Sequence, residues 1–176
     1  MKKNDKSWII KITLFAFIMS LAFSFLSDLV LSKTNIVIGI IVLILVIFIG
    51  VIFDIIGVSI TSVDISPFNA MASKRIKSGQ MAVRLIKNAD KVSSFCNDVI
   101  GDICGIISGA AATIISVALA NKLGINALYV TLIITALTAS LTIGGKAIGK
   151  GIAIRKNVAI IKNFSKVLSI FQKKNS

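Results

Sequence analysis

The eighteen residues IVIGIIVLILVIFIGVIF (36–53) contain no charge and no polar side chain. A helix rises 1.5 Å per residue, so about 20 such residues cross the hydrocarbon of a bilayer. The apolar run continues past Asp54 to about residue 60, and three other stretches are comparable: 8–31, 92–120 and 127–148. β-branched residues are frequent in all four. Their length and lack of period-two alternation nevertheless argue against strands of an outer-membrane barrel. The expected fold is therefore an all-α membrane protein with about four transmembrane helices, forming a single domain over residues 1–176. At 56% hydrophobic residues and a mean hydropathy of +0.94, the chain is too apolar for a soluble domain of this size.

A net charge of +13 raises the question of nucleic acid. The distribution of the charge argues for a membrane instead. Of the 20 Lys and Arg residues, only Lys33 and Lys122 lie in the loops after the first and third spans. The other 18 lie at the two ends of the chain and between the second and third spans. By the positive-inside rule both termini and the central loop are cytoplasmic, in a multi-pass protein of the inner membrane. The first span begins like a signal peptide, with a basic start and the small residues Ser20 and Ala22. It lacks an A-x-A cleavage site and stays apolar to Leu31, which favours a retained span.

Two amphipathic cytoplasmic helices are expected beside the spans. One covers 66–88, with Ser66 as N-cap, Pro67 at the first helical position and a bend at Ser78-Gly79. Its apolar positions are Phe68, Ala72, Ile76, Val83 and Ile86. The other covers 156–173, with the stripe Ile161, Phe164, Leu168 and Phe171. Both read as a basic collar on the lipid bilayer. Cys96 and Cys104 are about 12 Å apart along one helix, too far to pair, and read as buried thiols.

The residues that invite a functional reading are charges inside the spans. Asp98 and Asp102 are one helical turn apart and share a face. A carboxylate in hydrocarbon costs about 3 kcal/mol or more, so each requires a partner. By helical rise Asp54 and Asp98 lie about 9 Å inside the membrane and Asp102 about 15 Å, with Lys146 near the inner end of the fourth span. Gly101, Gly105 and Gly109 share the third helix with the two carboxylates. Gly105 and Gly109 continue their face, which would admit a second helix. Two readings compete. In one, Asp54, Asp98 and Asp102, with Asn97, Ser59 or main-chain oxygens, hold a hard divalent cation such as Mg2+. In the other, Lys146 neutralises a carboxylate and the pair is structural. The chain contains neither His nor Glu, so a histidine zinc site and a Ser-His or Cys-His nucleophile are excluded, and no enzyme is expected.

The order of these parts resembles the transmembrane domain of the CNNM/CorC magnesium transporters over roughly residues 45–168. FDIIGVSITSVDISPFNAMASKRIKSGQMAVRLIKNADKV (53–92) is similar to that family's first helix and the basic juxtamembrane helices after it. The third span resembles its second helix, ending in the small residues Ser108 to Thr113. GGKAIGKGIAIRKNVAI (144–160) is similar to its Gly-Glu-Ile-x-Pro-Lys phrase, with Gly145, Ile148, Lys150, Ala153 and Arg155 kept. The resemblance implies a Mg2+ site from a serine, an asparagine and a glutamate. Asp54 stands at the serine position, Asp102 or Asp98 at or near the asparagine, and Lys146 at the glutamate. Since the family's CBS domains have no counterpart here, it further implies a separate regulatory subunit, while the glycine-faced helices are expected to pack as a homodimer.

Overall fold

The computed structural model describes residues 3–31 and 35–173, with side chains for 9–22, 25 and 35–170. Among them there is no strand. The helices are α1 (Lys3–Leu31), α2 (Ile36–Ser62), α3 (Ser66–Ser73), α4 (Lys77–Lys87), α5 (Ala89–Ser94), a π-helical segment (Phe95–Gly101), α6 (Asp102–Leu123), α7 (Ala127–Arg155) and α8 (Asn157–Lys173). Three helices among the described residues are long and apolar enough to cross a membrane: Ile36–Ser62, Ala89–Leu123 and Ala127–Arg155. The second of these is α5, the π segment and α6 run together. Within α1 the described apolar stretch is Ile9–Ala22, shorter than a span. The remainder of the expected first span falls largely outside the described side chains.

The chain forms two compact units. The first comprises residues 1–51 and 99–145. In it α1 packs along α6, and Leu43, Ala111, Ala112 and Ile115 form a buried core flanked by Ile36, Ile47, Ile114 and Ile134. Small side chains set the approach of the helices, since a Cβ on Gly50 would come within 3.0 Å of Cys104 Cβ. Cys96 and Cys104 are both buried, as expected, and neither forms a disulfide among the described residues. The tight connection NKLGIN follows from its residues. Gly124 takes a left-handed φ of 68° and closes α6, and the Leu128 N–H donates to Asn126 Oδ1 at the start of α7.

The second unit comprises residues 52–98 and 146–176. Its core is Ile60, Phe68, Ala82 and Ile161, drawn from α2, α3, α4 and α8. The amphipathic stretch 66–88 is two helices, and the break lies at 74–76 rather than at Ser78-Gly79. Arg75 has a φ of 57°, its N–H donates to Ala72 O, and the Ile76 N–H donates to Met71 O. This is a Schellman closure with arginine where glycine is usual. Gly79 is instead a packing position: a Cβ there would come within 2.5 Å of Met71 Cβ. The start of α3 also differs by one residue. Ile65 is the N-cap, and Asp64 Oδ1 accepts hydrogen bonds from the Ser66 N–H and Oγ. In α8, Ile161 and Ser165 are buried, while Phe171 lies outside the described side chains. Asn157 Nδ2 donates to Ser62 O at 2.9 Å, and Ser59 Oγ donates to Ala153 O at 3.3 Å. These two bonds tie the end of α2 to the junction of α7 and α8.

Candidate functional site

Asp54 is the buried carboxylate of the second unit, with 5% of its surface exposed. It sits in α2 directly after the eighteen-residue apolar run, where no neighbour on its own helix carries a charge. Lys146, from the C-terminal half of α7, places its Nζ 3.8 Å from Asp54 Oδ1. That distance gives an ion pair with room for adjustment rather than a short charge-assisted hydrogen bond. The lysine side chain is 25% exposed against 7% for the aspartate, so the lysine is the member of the pair nearer the surface. The other carboxylate oxygen, Asp54 Oδ2, is buried and without a hydrogen-bond partner.

One turn further along α2 is Gly57, and against it lies the amide of Asn97. A Cβ on Gly57 would overlap Asn97 Oδ1 and come within 2.6 Å of its Cγ. The glycine therefore exists as the seat of this amide. Asn97 Nδ2 donates to Ser93 Oγ at 3.3 Å, while its Oδ1 is buried without a partner. Asn97 belongs to the π segment Phe95–Gly101. Such a wide turn inside an α-helix is frequent at functional sites because it redirects side chains by a fraction of a turn. The two buried oxygens without hydrogen-bond partners are thus Asp54 Oδ2 on α2 and Asn97 Oδ1, whose amide lies against Gly57, three residues after Asp54. Together they offer hard oxygen donors of the kind a small cation or an ammonium takes.

The site differs from the sequence expectation in its membership. Asp98 and Asp102 are both exposed, and no side-chain hydrogen bond or salt bridge forms on either among the described residues. They are not the partners of Lys146, which pairs with Asp54. Among the described residues no three side chains from His, Cys, Asp and Glu come together to hold a metal ion. The three-carboxylate cluster expected from the sequence is therefore not formed among the described residues. The physical reason is helical phase. Cys96 and Val99 are buried on either side of Asp98, and Ile103 and Cys104 follow Asp102, so the packed face of this helix is the one opposite the carboxylates. Gly105 and Gly109 are likewise not in a helix contact, since nothing lies within 4 Å of a Cβ built on either. Asn97, expected only as an accessory ligand, is the polar side chain that lies against Gly57 of α2. The Asp54-x-x-Gly57 spacing was the available signal, because a bare glycine one turn from a buried carboxylate marks where a neighbour comes close.

No family model, no curated protein and no solved structure matches this chain.

Proposed function

We propose that this chain is a multi-pass protein of the inner membrane that binds, and moves across the membrane, a hard divalent cation of the Mg2+ or Co2+ type at the Asp54 notch. It would do so in the manner of the CNNM/CorC transmembrane domain. The observation that carries this reading is the pair of unsatisfied buried oxygens, Asp54 Oδ2 and Asn97 Oδ1, beside an ammonium that a cation could replace. Leaving a polar atom buried and unpaired costs about 1–3 kcal/mol, and a bound cation would recover it. In this reading Lys146 is a tethered counter-ion that swings aside when the cation enters, and its partial exposure leaves it a path. Four spans, cytoplasmic termini, a homodimer and a separate regulatory subunit belong to the same proposal. The 18-to-2 division of Lys and Arg supports the orientation. The role is binding and transport rather than catalysis.

The ion pair itself favours a second reading, in which Lys146 permanently occupies the cation's place and the protein is a structural or regulatory membrane component. Mg2+ flux into proteoliposomes separates the two, measured for the wild type, Asp54→Asn and Lys146→Glu. Transport predicts flux in the wild type and its loss in Asp54→Asn. Flux in Lys146→Glu alone would show a site closed by its lysine, and flux in none of the three would reject a cation site.

A further inference from the structure

We propose that the outer faces of α4 and α8, with the turn between α3 and α4, bind anionic phospholipid headgroups in preference to zwitterionic ones. The inference rests on the membrane reading and goes beyond the cation notch. Three features of the second unit carry it.

The first is tether length. Only residues 63–65 separate α2 from α3, Asn88 alone separates α4 from α5, and Lys156 alone separates α7 from α8. The helices α3, α4 and α8 therefore hang from the ends of the three apolar helices and cannot leave the headgroup layer. The second is the direction of the faces. Ala82 of α4 and Ile161 of α8 share a buried core and are fully covered, so the opposite faces point outward. On α4 that outward face is Lys77, Arg84 and Lys87, at spacings of seven and three, which align on one side of a helix. On α8 it includes Lys162 and Lys166, one turn apart, and Arg75 is exposed in the turn before α4. The third is the missing counter-charge. Among the described residues no salt bridge engages any of these six cations, and the pair Lys146–Asp54 lies in the notch. The exposed acids nearest in sequence are Asp64, held by Ser66, and Asp90. A layer of anionic phosphates at the depth fixed by the tethers supplies what the protein does not.

The test uses the whole chain reconstituted in phosphatidylcholine vesicles containing trace spin-labelled phosphatidylglycerol or phosphatidylcholine. The relative association of the two labelled lipids is the readout. Each basic residue at such a surface contributes about fivefold to affinity for anionic lipid. The wild type should therefore select phosphatidylglycerol by at least about fivefold at low salt, and the selection should collapse near about 1 M salt. The triple variant Lys77→Gln, Arg84→Gln, Lys87→Gln should lose most of the selection while keeping its helical circular dichroism. Lys122→Gln, in the last turn of α6, should keep it. Equal association of the two lipids with the wild type, or an unchanged triple variant, overturns the proposal. So does a wild type that shows no lipid selection and instead binds a short RNA at physiological salt. Failure of the chain to float with pure phosphatidylcholine vesicles would overturn the membrane reading as well. Flotation without selection overturns the lipid surface alone.

Discussion

At the scale of single residues, Asp54 is buried in an apolar stretch with the Lys146 ammonium 3.8 Å away. Removing one member of a buried pair strands the other. Lys146→Met should lower stability by about 3 kcal/mol, whereas Asp54→Asn with Lys146→Met should recover all but about 1 kcal/mol. Thermal unfolding in detergent of the wild type, both single variants and the double variant measures this cycle. A Lys146→Met protein as stable as the wild type would show that the pair contributes nothing. Gly57 makes a different demand. An added methyl would displace the Asn97 amide, so Gly57→Ala should cost about 1–3 kcal/mol, and Gly57→Ala with Asn97→Ala should cost less than Gly57→Ala alone. Lys146 as a counter-ion was legible from its depth. Which carboxylate it meets was not, because α6 carries small and apolar residues on every side and no periodicity indicates which side is packed. The π segment has no residue signature either, and it is what presents Asn97 to α2.

At the scale of elements, the apolar helices were readable because long apolar runs without charge or period-two alternation leave a chain few alternatives to a continuous helix. The helical break after α3 was not readable, since Lys74-Arg75-Ile76 contains neither glycine nor proline. Arg75 adopts a left-handed backbone that L side chains disfavour by about 1 kcal/mol or more. Arg75→Gly should therefore stabilise the α3–α4 unit by about 1 kcal/mol, read as slower amide exchange across Met71–Gln80. Faster exchange there would mean that the arginine side chain contributes more than its backbone strain costs. The start of α3 carries a pH dependence. The Ser66 N–H, then its hydroxyl, hold the Asp64 carboxyl below its usual range. A group whose pKa is lower folded than unfolded stabilises the fold above its unfolded pKa and loses that contribution as pH falls through the folded value. Protection of α3 should thus decline below about pH 4, and Asp64→Asn should remove that pH dependence while weakening α3 at neutral pH. A decline equal in the variant would assign it to another carboxylate.

At the scale of the whole molecule, the basic collar and the notch are consequences of one arrangement. Apolar helices end in a unit whose core is Ile60, Phe68, Ala82 and Ile161, and bonds from Asn157 and Ser59 fasten α2 to the α7–α8 junction. That fastening keeps Asp54 opposite Lys146. Asp98 and Asp102, the two acids that share one face of an apolar helix, are exposed and stand outside this fastening. The proposed cation site is the Asp54 notch, with Lys146 standing in the cation's place. Calorimetric titration of Mg2+ into the detergent-solubilised protein tests it most directly. Lys146→Met should bind Mg2+ at least about tenfold more tightly than the wild type and regain stability as the ion is added, and Asp54→Asn with Lys146→Met should bind none. A folded Lys146→Met protein that takes up no divalent cation at millimolar concentration would contradict the claim.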